Sequence, residues 1–265
     1  MLKGCPFCHH SDSVVYRTRQ ELRRGGSCNL LKCNECGLLY PQQRMDELET
    51  KEYLFSLFTN QDDYQYDEPR VEITENRVPV KLISPIEKRG RSLDIGTFNG
   101  KYTYIWEALG FDSYGLEPQD KAAEFAKTRG LKVFCGSFPD AIPSELLEEK
   151  FSLISMLEMV CYIHDLKAGL LKAKELLDDD GLLLIQCHQG YSRYYDSNNS
   201  YFSRYGDNVQ GIPSLGSLLY CLSKSGFDVV KYAGFVDTDF EKKLHYKVLN
   251  MDNADRLVLL AKKVM

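Results

Sequence analysis

Short apolar runs separated by amphipathic stretches dominate the chain from about residue 90 onward. From Leu93 a short apolar strand runs up to the acidic Asp94 and into a glycine-bounded turn, and Lys101 to Leu109 continues it with helical spacing. Ser113–Leu116 reads as a second strand ending at Glu117, and Gln119–Arg129 as a helix. A third strand and turn follow at Leu131–Ser137. Phe151–Glu158 is a fourth strand, apolar enough to be covered on both faces. Asp165–Leu177 is an amphipathic helix, and Asp178–Gly181 turns into a fifth strand, Leu182–Cys187. Leu215–Ser225 reads as a helix closed by Gly226, and Phe227–Tyr232 and Arg256–Lys262 are the last two strands. Strands alternating with helices in this way predict an α/β fold with a doubly wound, mainly parallel sheet.

The first forty residues follow a different pattern. Cys5-Pro6-Phe7-Cys8 and Cys33-Asn34-Glu35-Cys36 are two Cys-x-x-Cys pairs. Between them lie two strand-like runs, Val14–Arg17 and Asn29–Lys32, with Arg24-Gly25-Gly26 as a turn. Each pair supplies two thiolates, and two pairs complete a tetrahedral four-sulfur zinc site, so Cys5, Cys8, Cys33 and Cys36 are the candidate metal ligands of a small zinc ribbon. A module of this size builds too little core to fold without a metal. Cys28, His9 and His10 are alternative ligands, and a redox dithiol is the alternative chemistry.

Residues 42–88 join the two patterns. Met45–Phe58 carries helical spacing of Leu48, Tyr53, Leu54 and Leu57; Thr59–Arg70 is polar and acidic; Val71–Lys88 reads as a helix interrupted near Pro79 and Pro85. This stretch is either a plain linker or a flap over the following domain. The predicted organisation is therefore a zinc ribbon (1–41), a helical linker or flap (42–88) and a large α/β domain (89–265).

Net charge narrows the partners. The chain has 265 residues, a formal charge of −5 and a pI near 5.6, which argues against whole-surface binding to nucleic acid. Arg17, Arg19, Arg23 and Arg24 still make the ribbon locally basic. No apolar run reaches membrane-span length and the N-terminus has no apolar leader, so the expectation is a soluble, cytoplasmic protein without membrane partners.

The turn Leu93-Asp94-Ile95-Gly96-Thr97-Phe98-Asn99-Gly100 is where an open α/β sheet takes a nucleotide-like ligand. Glu117 follows about twenty residues later at the tip of the second strand, where a carboxylate can accept both ribose hydroxyls of an adenosine. LDIGTFNG, YGLEP, FSLISMLEMVCYIHD and LLDDDGLLLIQCH, in this order over about residues 90–262, together resemble a class I S-adenosylmethionine-dependent methyltransferase. The preceding ribbon is similar to that of methyltransferases from sugar and polysaccharide pathways.

The resemblance implies a Rossmann-like seven-stranded sheet with an antiparallel last strand. It implies S-adenosylmethionine as cofactor, with Asp94, Gly96, Thr97, Phe98, Asn99 and Gly100 around the methionine part and Glu117 and Pro118 at the ribose. Ser137, Phe138, Met156 and Leu157 would flank the adenine and the methionyl chain. Phe98 stands where many members carry glycine, so the loop path must differ there.

A hydroxyl or carbon-acid acceptor also needs a base. The candidates at the ends of strands four and five are His188, His164 and Tyr162. The tyrosine-rich Gly190–Gly211 stretch, with Arg193 and Arg204, would overhang the acceptor or pack on itself. Three readings of the function stay open: transfer to a small polar acceptor such as a nucleotide-linked sugar, transfer to RNA held by the ribbon, and cofactor binding without catalysis.

Overall fold

A computed structural model describes residues 4–19, 28–56, 77–148, 150–191, 209–237, 246–249 and 254–264. The ribbon turn at Arg24, the Thr59–Arg70 loop, the start of the Val71–Lys88 stretch and most of the tyrosine-rich stretch, with Arg23, Arg193 and Arg204, lie outside the described residues.

The N-terminal module is a three-stranded antiparallel sheet of β1 (Ser13–Arg19), β2 (Cys28–Cys33) and β3 (Leu39–Pro41), in that order. The second sheet contains β4 (Arg91–Ile95), β5 (Asp112–Glu117), β6 (Lys132–Cys135), β7 (Phe151–Leu157), β8 (Leu177–His188), β9 (Phe227–Asp237), β10 (Tyr246–Leu249) and β11 (Arg256–Lys263). Its order is β10-β9-β11-β8-β7-β4-β5-β6. The pairs β4–β5, β4–β7, β5–β6 and β7–β8 are parallel, and β11 lies antiparallel between β8 and β9. The seven expected strands, including the antiparallel last one, are thus present. β10 is an addition, antiparallel on the outer edge of β9.

The fifth strand begins earlier than its acidic run suggests. Leu177 leaves the preceding helix and pairs at once with Phe151, and the register resumes at Leu153–Leu182. Asp178–Gly181 is absorbed as a bulge rather than standing as a separate turn.

Helix α1 (Glu47–Ser56) starts with reciprocal capping: Glu49 N–H donates to Asp46 Oδ1 and Asp46 N–H to Glu49 Oε2, both at 2.9 Å. In α2 (Val78–Ile83), Pro79 sits in the first turn, where its missing N–H costs nothing, so the proline opens this helix instead of interrupting it. Helices α3 (Lys101–Ala108) and α4 (Asp120–Thr128) cross between strands as expected. α5 (Leu166–Leu176) is capped by Asp165, which accepts from Ala168 N–H at 2.9 Å, and α6 (Leu215–Lys224) by a Ser214–Ser217 capping box. Among the described residues no helix is long and apolar enough to cross a membrane.

The sheet is covered on both faces. Trp106, Ile105, Val80 and Ile83 pack with Leu153, Leu184, Val258 and Leu260. The larger core joins Ile154, Met156, Leu183 and Ile185 to Leu170, Ala173, Leu218 and Leu222. Phe7, Leu30, Leu38, Leu39 and Tyr40 belong to this same core, so the cysteine module buries its apolar side on the large sheet's helices and connections.

Candidate active site

β4 ends at Ile95, one residue past Asp94, and the chain then folds back over β5. Gly96 and Thr97 N–H groups both donate to Leu116 O, at 2.8 and 3.3 Å. Three residues of this loop take positive φ: Gly96 at 72°, Phe98 at 53° and Gly100 at 82°. A side chain at Gly96 would overlap the Met159 thioether, and one at Gly100 would press on Leu131 and Ala126. Phe98 adopts the left-handed conformation that glycine takes easily, which is how a bulky residue occupies this position.

The carboxylate at the tip of β5 fixes this conformation. Phe98 N–H donates to Glu117 Oε2 at 2.8 Å, and Gln119 N–H donates to Oε1 at 2.9 Å. Glu117 is buried, and its pKa is pushed up to about 7 by that burial, with the two backbone donors opposing and the Asp94 charge adding to the rise. Asp94 is also buried and pushed up to about 7 by loss of solvent, against hydrogen bonds from Ser155 and Thr97. Ser155 Oγ donates to Asp94 Oδ1 at 2.5 Å and accepts from Trp106 Nε1 at 2.9 Å.

Beside the loop lies a cavity of about 390 Å³ at the carboxyl ends of the central strands. Gly96, Pro118, Ser137 and Phe138 line one side, and Met159, Tyr162, Ile163 and His164 line another. Helix α1 forms the third wall through Leu48, Thr50, Lys51, Leu54 and Phe55. Thr50 is the buried residue of that helix, and Leu48, Leu54 and Phe55 line the cavity together with the charged Glu47 and Lys51.

The structure therefore brings Gly96, Pro118, Ser137, Phe138, Tyr162 and His164 onto one cavity. Asp94, Thr97, Asn99 and Glu117 are buried without lining it, and Phe98 and Gly100 continue the same loop. Met156 is fully buried in the core, and Leu157 packs on the Trp106 side of the sheet. Met159 lies within the FSLISMLEMVCYIHD run but is not among its expected site residues, and the α1 wall carries no motif in the sequence. The wall's only signal is the apolar spacing of α1.

His164 Nε2 lies 3.1 Å from Thr50 Oγ1, and burial lowers its pKa. Gln210 Nε2 donates to the same hydroxyl at 3.1 Å. His188 sits elsewhere, outside the cavity lining. Its Nδ1 is 2.6 Å from Arg256 Nη1; a guanidinium can only donate, so Nδ1 accepts and the ring proton resides on Nε2. That Nε2 faces Glu158 Oε2 at 3.3 Å, an ion-pair distance without hydrogen-bond alignment, while Arg256 Nε pairs with Glu158 Oε1 at 3.1 Å. Burial, and secondarily the Arg256 charge, hold His188 well below the usual imidazole range.

The four predicted thiols converge. Cys5–Cys36 and Cys8–Cys33 sulfurs are 3.4 Å apart, Cys8–Cys36 3.8 Å, and all four lie within 4.8 Å of one another. A tetrahedral zinc–thiolate centre with bonds of about 2.3 Å requires sulfur separations near 3.8 Å, so the cluster fits that ion. Burial and adjacent thiols raise the Cys8 pKa to about 12; a divalent cation at the centre reverses that preference. Cys28 stands apart, 3.3 Å from Asn29 O, and His9 pairs with Asp165 at 3.0 Å.

A sheet of this order, with glycine loop, acidic strand tip and adjoining cavity, defines the α/β methyltransferase class. A family model described as a methyltransferase domain matches residues 70–232. The chain belongs to that family, and the expectation of an S-adenosylmethionine-dependent methyltransferase enzyme holds. No curated protein sequence matches the chain.

Among solved structures, a Thermotoga maritima S-adenosylmethionine-dependent methyltransferase, described as a possible histamine N-methyltransferase, is similar at 21% identity and a TM-score of 0.60, covering 80% of this chain and 99% of its own. The putative methyltransferase in complex with the Haloferax volcanii Trm112 activator gives 16% identity and 0.54, over 74% and 94%. The glycopeptide N-methyltransferase MtfA with S-adenosylhomocysteine gives 12% and 0.50, over 70% and 85%. At these identities the likeness is one of fold.

Proposed function

We propose that the cavity binds S-adenosylmethionine and a small polar acceptor, a nucleotide-linked sugar being the class that the tyrosines and arginines after β8 suit. The observation that carries this reading is the third wall. Helix α1, the glycine loop and the 159–164 segment together bound a cavity of about 390 Å³, the scale of a small ligand, and this supports a small acceptor over a polymer. When bound, the cofactor supplies an electrophilic methyl group on a sulfonium. The protein's task is then to hold the acceptor in line and exclude water.

In this reading Gly96–Gly100 receives the methionyl part, Glu117 and Pro118 the ribose, and Ser137 and Phe138 the adenine edge. Each Glu117 oxygen accepts one backbone N–H and keeps a further lone pair for a ribose hydroxyl, which this reading requires to be uncovered beside Pro118 when the cofactor enters. Tyr162 and His164 contact the acceptor from the wall opposite the loop. His188, with its Nδ1 lone pair engaged by Arg256, does not act as a free base. The four thiolates hold a closed, structural Zn²⁺. Such a centre needs a reducing compartment, which points to the cytoplasm.

Calorimetry with S-adenosylhomocysteine on zinc-loaded protein tests the cofactor site, and absence of binding overturns it. A screen of nucleotide-sugars and RNA with label-bearing S-adenosylmethionine tests the acceptor. Transfer to RNA alone overturns the small-acceptor reading.

A further inference from the structure

We infer that the four-cysteine centre is a positioning device for the cavity, its metal fixing the wall formed by residues 159–166. The inference rests on the methyltransferase reading for what the cavity does, but the coupling stands on geometry alone.

The wall segment leaves β7 and ends at the first turn of α5, and that turn is tied to the first cysteine pair. Leu166 N–H donates to Pro6 O at 2.9 Å, and Pro6 lies between Cys5 and Cys8. Asp165, the α5 cap, spends one oxygen on Ala168 N–H and pairs the other with His9 Nε2 at 3.0 Å. His9 follows Cys8 directly, has a φ of 61° and donates its N–H to Cys5 O at 3.0 Å. Both partners of the α5 turn therefore belong to the loop that carries two of the thiolates.

The second cysteine pair holds the other side. Gly37 O accepts from Tyr191 Oη at 3.1 Å. Ile212 N–H donates to Leu39 O at 2.8 Å, and Gly211 sits so close that a side chain there would press on Leu38 and Pro6. Gln210 N–H in turn donates to Cys161 O at 2.7 Å, within the wall segment. Two stretches of the large domain, 159–166 and 209–214, are thus fastened to each other and to the two metal-binding turns. The cysteine turns of this module are ordered by the metal, while its apolar side is held by the shared core. Loss of the ion therefore frees the wall while leaving the distant strands paired.

The test is hydrogen exchange of the full-length, zinc-loaded protein before and after chelation. Amides in 159–166 and 209–214 are expected to exchange about tenfold faster without metal, while β5 and α4 (residues 112–128) keep their rates. S-adenosylhomocysteine affinity is expected to fall about fivefold or more. His9→Ala, which retains the metal ligands, should keep its zinc, speed exchange at 165–168 and weaken S-adenosylhomocysteine in the same direction. Unchanged exchange at 159–166 when the module itself loosens overturns the inference, as does equal acceleration across β5 and α4. If zinc-loaded wild type fails to bind S-adenosylhomocysteine at all, the cavity reading falls, and the exchange pattern still decides the coupling.

Discussion

Glu117 offers the sharpest test of the cofactor site, because its burial and its expected ligand pull its ionisation in opposite directions. Its ordinary pKa of 4.5 rises to about 7 in the folded protein, chiefly from desolvation. A carboxyl whose pKa is higher folded than unfolded binds more protons in the native state. Its contribution to stability is therefore whole below about 4.5 and is lost as pH rises through about 7. At about 1.4 kcal/mol per tenfold, the loss is on the order of 3 kcal/mol. Asp94 acts with the same sign over the window from 3.8 to about 7, so wild type must be compared with Glu117→Gln to isolate one group. Denaturant unfolding from pH 4.5 to 8 should show the wild type losing about 3 kcal/mol relative to the variant across that range. Ribose hydroxyls donate to the carboxylate, so the ligand selects the ionised form. With a pKa near 7, wild-type affinity for S-adenosylhomocysteine should rise about tenfold between pH 6 and pH 8. The Gln variant should be weaker at pH 8 by the worth of charged hydrogen bonds, about 1.5–3 kcal/mol, and should keep only the smaller pH dependence that Asp94 contributes. A wild-type affinity equal at the two pH values, or a rise of the same size in Glu117→Gln, refutes the placement of the ribose.

Three further outcomes are expected. Cys33→Ser should lose stoichiometric zinc, as read by elemental analysis; full metal content in the purified variant would contradict the four-thiolate site. Ser155→Ala orphans both Trp106 Nε1 and Asp94 Oδ1 inside the core, so unfolding free energy should drop by about 2–4 kcal/mol. Trp106 is the single tryptophan, so its fluorescence follows that unfolding directly. At position 98, glycine should be more stable than alanine by about 1 kcal/mol, the reverse of an ordinary position, because the left-handed φ penalises any Cβ; denaturant curves with the usual order would show the loop conformation to be wrong.

Much of this fold is written in local patterns. The parallel strands appear as apolar runs because both faces are covered, and Asp94, Gly96 and Gly100 mark the loop because backbone curvature demands glycine there. The thiol cluster is legible from spacing alone, since two Cys-x-x-Cys turns have few other ways to use four sulfurs. What escapes the sequence is decided by contacts between distant segments. α1 belongs to a stretch that reads as either a linker or a flap, and only its placement on the same cavity as Gly96 makes it a wall. His188 looks available on a strand end until Arg256, sixty-eight positions later on the antiparallel neighbour, occupies its lone pair. β10 is four residues long and owes its existence to the exposed edge of β9, so no periodicity announces it.

The residues held in left-handed backbone show where the molecule spends its strain. Among the described residues, four that are not glycine have positive φ: His9, Phe98, Glu158 and Tyr191. Such a conformation costs about 1–2 kcal/mol for an ordinary side chain and persists only where the surroundings over-determine it. Phe98 and Glu158 lie in the turns that leave β4 and β7, on the two sides of Gly96 and Met159, and each is pinned by charge-assisted hydrogen bonds: Phe98 through its N–H to Glu117, Glu158 through its carboxylate to Gln186 and Arg256. His9 and Tyr191 are each turned outward across the junction of the two modules, onto Asp165 and Gly37 O respectively. Two of the four thus shape the cavity and two fasten the cysteine module beside it.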